Sequence, residues 1–259
     1  MEPNKREEIL RLDDIKMRFG GLFALDGVNL SIPKGIIFGI VGPNGAGKTT
    51  LFNVISGILS PTEGKVFFKG NNVTGNPPHK MAKMGIGRTF QVVRPFSSLT
   101  VLENVLAAYG ERFYSDIFRS FGRYKMVKYV NEAEKILSET GLLEFRDRVA
   151  STLPLGYQRR LEIARALALS PSIILLDESF SGLSFSEMDE LQELVVDLNE
   201  QGITILIIEH NMPVTLKLCE EIAVLNYGKK IAEGRPQEIV HDPLVIEAYL
   251  GKKRSKKYD

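Results

Sequence analysis

Eight residues constrain this chain more than any others: Gly42-Pro43-Asn44-Gly45-Ala46-Gly47-Lys48-Thr49. They follow the apolar run Ile36-Ile37-Phe38-Gly39-Ile40-Val41 and lead into Thr50-Leu51-Phe52-Asn53-Val54-Ile55, the strand, loop and helix context that the G-x-x-x-x-G-K-[ST] pattern requires. Glycines at 42, 45 and 47 allow the loop to turn its N–H groups inward onto phosphate oxygens, at a helix end that already carries positive partial charge. Lys48 adds a full positive charge. Thr49 places a hydroxyl where such loops bind the Mg²⁺ that bridges terminal phosphates. A chain built around this loop folds as an α/β protein.

Charge then narrows the partners. Lys+Arg total 33 against Asp+Glu 32, so there is no strong field for nucleic acid, and phosphate is expected to be bound locally. The longest apolar runs, such as Ile173 to Leu176, are too short to span a bilayer, and the polar start Met1-Glu2-Pro3-Asn4-Lys5-Arg6 is not a secretion signal. A cytoplasmic location is expected. The single cysteine, Cys219, forms no internal disulfide and is expected to serve packing.

Patterning divides the chain. Short β-rich segments at Ile9 to Met17, Ala24 to Ile32 and Lys65 to Lys69 predict an antiparallel layer beside the cradle strand. Val101 to Tyr109 and Met126 to Thr140 carry apolar residues at helical spacing and predict a helical subdomain. Beyond a helix from Gly156 to about Leu169, strands at Ile173 to Leu176, Ile203 to Ile208 and Ile222 to Leu225 alternate with helical stretches, which predicts a parallel sheet covered on both faces.

Two strand ends carry chemistry. Ile173-Ile174-Leu175-Leu176 delivers Asp177-Glu178, whose side chains point to opposite faces, so the two acids can do different work. Asp177 is the candidate for Mg²⁺ and Glu178 for orienting and polarising a water. Ile203 to Ile208 delivers Glu209-His210, and from that tip His210 can reach a γ-phosphate. His79 and His241 lie in polar stretches and are expected at the surface.

With these motifs in order, residues 9 to 250 resemble an ATP-binding-cassette (ABC) ATPase subunit. The resemblance also rests on Gln91 in Thr89-Phe90-Gln91-Val92, similar to the family's Q-loop, on Phe19 where the family stacks an aromatic ring on adenine, and on Ser181-Gly182-Leu183-Ser184 in the D-loop position. It implies a P-loop NTPase (RecA-like) parallel core with an antiparallel β subdomain and an inserted α-helical subdomain. The core and β subdomain would span 9–91 and 166–250, the helical subdomain with Q-loop and signature 92–165, and a basic tail 251–259. It implies ATP and Mg²⁺ as cofactors. ATP would contact Phe19, Gly42, Pro43, Asn44, Gly45, Ala46, Gly47, Lys48, Thr49, Thr50 and Gln91; Mg²⁺ would meet Thr49, Gln91 and Asp177; Lys48, Glu178 and His210 would be catalytic.

In this family the signature of a second cassette completes each site. The usual L-S-G-G-Q reads here Leu153-Pro154-Leu155-Gly156-Tyr157, so the serine hydroxyl is missing. Two consequences stay open: a weakened trans site, or a proline that pre-sets the helix start while other N–H groups suffice. Ser184 stands where the D-loop usually has an acid, and Ser179 where a proline commonly follows the glutamate.

Gly87-Arg88-Thr89-Phe90-Gln91, Gln158 to Arg165 and the ending Val245 to Gly251 resemble the ATPases of branched-chain and hydrophobic amino-acid importers. The implied partners are a second ABC ATPase, two transmembrane permease subunits and an extracytoplasmic binding protein, with the chain peripheral on the inner face of the membrane. The competing readings are a lipopolysaccharide exporter's ATPase, a soluble ABC ATPase, and a regulatory nucleotide-binding subunit.

Overall fold

The computed structural model describes residues 6–89, 95–110, 123–210 and 212–250. The first half of the chain runs β1 (Glu8–Phe19), β2 (Leu22–Pro33), β3 (Ile37–Val41), α1 (Lys48–Ile55), β4 (Glu63–Phe68), β5 (Asn71–Asn72), α2 (Pro78–Met84), β6 (Ile86–Arg88) and α3 (Val101–Ala108). The second half runs α4 (Arg123–Glu139), α5 (Leu155–Leu167), β7 (Ile173–Asp177), α6 (Phe185–Glu200), β8 (Thr204–Ile208), α7 (Met212–Leu218), β9 (Glu221–Asn226), β10 (Lys229–Gly234), α8 (Pro236–Ile239) and α9 (Pro243–Leu250).

Alternation in the first strands builds an antiparallel sheet of order β2-β1-β4-β5. In β1, Leu10 faces Ile32 of β2 and Phe68 of β4 across the ladder, and all three are buried. The continuous apolar runs behave differently. Ile37–Val41, Ile173–Asp177 and Thr204–Ile208 are buried at every position and form the centre of a second sheet of order β10-β9-β3-β8-β7-β6. Neighbours from β9 through β6 pair in parallel, and only β10 runs antiparallel to β9. Helices cover both faces, as burial on both sides demands. Complete burial of a side chain the size of Phe38 contributes about 2 to 3 kcal/mol.

The apolar positions of α3, α4 and α5 meet in a separate cluster that includes Val101, Val105, Leu137 and Leu161. Helix α5 serves two cores, because Leu161 and Ala164 face this cluster while Ile163 and Leu167 face the parallel sheet. α3 begins with a capping box: the Glu103 N–H donates to Thr100 Oγ1, and the Thr100 N–H donates to Glu103 Oε2 at 2.7 Å.

Four short elements had no sequence signal: β5, α2, α8 and β6. Strand β6 has three residues, too few for periodicity, yet it lines up beside β7 and sets Arg88 in place. Gln91, residues 111–122 ahead of α4 and the basic tail lie outside the described residues.

Candidate functional site

The cradle is built by sterics at two glycines. A Cβ on Gly42 would lie 2.1 Å from the Leu225 carbonyl oxygen, and one on Gly47 would lie 2.5 Å from that of Ala24. Both have positive φ, +150° and +103°, so no other residue fits the loop between β3 and α1. The turn between β9 and β10 locks it from the far side, with the Gly228 N–H donating to the Ala46 carbonyl at 3.0 Å.

Lys48 is 5% exposed and donates through Nζ to the carbonyls of Gly42 at 2.7 Å and Pro43 at 3.1 Å. Burial lowers its pKa, while the nearby Glu178 and Asp177 carboxylates oppose that shift. A cleft of about 980 Å³ opens above the loop. Residues 44–50 form its floor, Glu178 and His210 one wall, and Leu22, Phe23 and Tyr227 the other side.

Phe19 is not among the cleft-lining residues. It pairs with Leu22 at the end of the β1–β2 hairpin and is 49% exposed. The aromatic rings bordering the cleft are those of Phe23 and Tyr227, which sequence reasoning left unassigned. Tyr227 occupies a left-handed turn with φ +45° and is 86% exposed.

At the other wall, His210 Nε2 lies 2.6 Å from Glu178 Oε1. Parallel pairing of β7 and β8 makes this contact, since both strands end at the same edge and Asp177 is in register with Ile208. Glu178 adopts φ +50°, a left-handed conformation that costs a non-glycine residue about 1 to 2 kcal/mol.

Asp177 turns the opposite way. Its Oδ2 accepts from Arg88 at 2.9 Å, and its Oδ1 is buried with no hydrogen-bond partner. Burial raises the Asp177 pKa, and the Arg88 hydrogen bond pulls it back. An unpartnered carboxylate oxygen is what a divalent cation needs, so the donors Asp177 and Thr49 fit a hard metal ion. Arg88 appeared in the sequence only as part of Gly87-Arg88-Thr89-Phe90-Gln91; its partner was not legible there.

The signature segment lies elsewhere on the surface. Leu153 is buried, Pro154 is the N-cap of α5 and makes no side-chain cap bond, and Tyr157 packs on Phe145 with ring centroids 4.6 Å apart. Gly156 is buried under Glu187, whose Oε1 lies 2.9 Å from where a Cβ of Gly156 would be. Glu187 belongs to the capping box of α6, where the Ser184 hydroxyl donates to its Oε2 at 2.7 Å. Hydrogen bonds from the Ser184 N–H and hydroxyl, together with one from the Gly156 N–H, hold Glu187 below the usual carboxylate range. The D-loop and the signature helix are thereby joined within one chain.

The remaining candidates fall outside the site. His79 and His241 are exposed. Cys219 is buried against β3, and burial pushes its thiol up to about 12. Among the described residues, no helix is long and apolar enough to cross a membrane.

Comparison with known proteins agrees across sequence and structure. The family model for ABC transporters matches residues 25–181, and that for the branched-chain amino acid ATP-binding cassette transporter matches residues 229–254. The chain is 41% identical over 249 residues to the high-affinity branched-chain amino acid transport ATP-binding protein BraF of Pseudomonas aeruginosa, covering 94% of this chain and 98% of that one. It is also 41% identical over 252 residues to LivG of Escherichia coli K12, which bears the same description, covering 95% and 98%. Among solved structures it resembles a nucleotide-free ATP-binding cassette from an ABC transporter, with TM-score 0.84, 38% identity and coverage of 95% and 100%. The ADP conformation of an ABC transporter cassette gives TM-score 0.83, 38% identity and coverage of 95% and 99%.

Proposed function

The chain belongs to the ABC transporter ATPase family, and from that premise we propose that it hydrolyses ATP at its own cradle to energise uptake of branched-chain or other hydrophobic amino acids. The observation that carries the catalytic part is Glu178 and His210 in contact at the wall of a cleft whose floor is the 44–50 loop.

The amides of Gly45 to Thr49 bind the β- and γ-phosphates, and Lys48 leaves its carbonyl partners for the phosphate oxygens. Thr49 and Asp177, with Gln91, would hold Mg²⁺, which would supply positive charge against the phosphate oxygens. Glu178 accepts hydrogen bonding from the attacking water and polarises it, while His210 fixes the Glu178 carboxylate and faces the γ-phosphate. The base lies toward Leu22, Phe23 and Tyr227, with Phe19 at the hairpin end beside them.

A second ABC ATPase completes the site with its signature segment. Support comes from the surface: Phe185 is 89% exposed on the D-loop side of α6, and Leu155 of the signature is also exposed. Closure over ATP shifts the population toward the paired state. The helical part from 92 to 165, with Gln91 at its edge, transmits that motion to two permease subunits, and an extracytoplasmic binding protein delivers the substrate. The chain then sits peripherally on the inner face of the membrane.

The test is reconstitution of the chain with the membrane subunits that co-purify with it, followed by ATP-dependent uptake of radiolabelled leucine into vesicles. Uptake lost in Glu178→Gln supports the reading. Recovery of ribosomal or DNA-bound partners alone would sink it.

A further inference from the structure

One buried carboxylate with no role above stands where the two catalytic loops meet. Glu209 follows β8, directly precedes His210 and is 2% exposed. Its Oε1 accepts the Phe180 N–H at 3.0 Å, and the His210 N–H also faces the carboxylate. Phe180 comes two residues after Glu178.

Two further links join the same loops. The Glu178 N–H donates to the Ile208 carbonyl at 2.9 Å, and the Glu178 carboxylate meets His210 at 2.6 Å. The chain between them is strained at Glu178, with φ +50°, so its course must be imposed from outside. Without Glu209 the Phe180 N–H would be buried with its acceptor gone, which native structures avoid by moving backbone. Any such movement displaces Glu178 from His210.

We propose that Glu209 is a positioning residue for hydrolysis, its carboxylate tying the loop that carries His210 to the loop that carries Glu178 and thereby holding the two in contact. This rests on the roles given to Glu178 and His210 above. The charged groups facing Glu209 are Glu178 from the loop after β7 and Arg159 from α5, itself 3.4 Å from Glu162, while its neighbour His210 presents its backbone N–H. Burial pushes Glu209 up to about 7, opposed by the Phe180 N–H, reinforced by Glu178 and offset in part by Arg159. When ionised, it holds the Phe180 N–H through a charge-assisted hydrogen bond, the stronger tie between the two loops.

The experiment measures steady-state ATPase of the full chain in its purified membrane complex from pH 6 to 8.5, with trinitrophenyl-ATP binding as a check on folding. Glu209→Gln keeps an oxygen for the Phe180 N–H and loses the charge, so kcat at pH 8 stays within about threefold and the rise through neutral pH disappears. Glu209→Leu also loses the acceptor, and kcat falls at least about tenfold with KM and nucleotide binding little changed. Wild-type kcat and pH profile in both variants would overturn the proposal. Should Glu209→Leu not bind trinitrophenyl-ATP, the Glu209→Gln profile decides, and an unchanged rise overturns it. A Glu178→Gln control that hydrolyses ATP like wild type would instead overturn the roles on which the proposal rests.

Discussion

Arg88 and Asp177 form a buried ion pair at 2.9 Å, with side chains only 8% and 3% exposed. The same guanidinium donates to Asn53 and Ser56, at 2.8 and 2.7 Å, and so ties α1, β6 and β7 together behind the cradle. Removing one member of such a pair leaves an uncompensated buried charge. We expect Arg88→Ala to cost about 3 to 5 kcal/mol of stability in urea denaturation. An unchanged midpoint would show that the pair contributes nothing.

Glu178→Gln preserves the shape of the side chain and a hydrogen bond to His210 but loses the carboxylate. ATP turnover should drop by roughly 10² or more while trinitrophenyl-ATP binding persists. Loss of binding together with turnover would mean that Glu178 holds the loop and does not act on water.

Gly42→Ala puts a methyl group 2.1 Å from the backbone oxygen of Leu225, at a φ that alanine avoids. The strand β9 must shift or the loop must open. Both nucleotide binding and stability should fall, the latter by more than about 2 kcal/mol, whereas Gly45→Ala, with nothing within 4 Å, should pay only for its positive φ. Equal effects at the two positions would contradict the steric account.

The raised pKa of Glu209 has a defined sign in stability. Folded Glu209 titrates at about 7 and the unfolded group at 4.5, so the native state holds the extra proton between these values. Its contribution is fully present below pH 4.5 and is lost as pH rises toward 7. Glu209→Gln removes that loss, so its melting temperature relative to wild type should climb by several degrees from pH 5 to pH 8. A constant difference across that range would rule out the shift.

Pro154→Ser supplies the missing hydroxyl at the N-cap of α5. It should stabilise the helix start by about 1 kcal/mol and raise ATPase severalfold at limiting ATP. Loss of melting temperature without gain in turnover would assign Pro154 to pre-setting the helix.

What could be read from the sequence was what short stretches decide alone. The order of small, basic and hydroxyl residues from Gly42 to Thr49 sets a loop, and unbroken apolar runs such as Ile173 to Leu176 set buried strands, because backbone conformation and burial are local preferences. Parallel α/β architecture and family membership followed from their order. Pairings across the chain were beyond that reach. Arg88 and Asp177 lie 89 residues apart, and β6, with three residues, gave no pattern to align them. Likewise, only parallel registration of β7 with β8 brings Glu209 to Phe180 and His210 to Glu178, only the β9–β10 turn lifts Tyr227 over the cleft, and only the approach of α6 to α5 covers Gly156 with Glu187. The motif identifies which atoms meet phosphate, since a loop's own backbone supplies them. Which side chains hold the catalytic groups in place is set by strand order and helix packing, where distant segments become neighbours through burial of apolar surface that no single segment specifies.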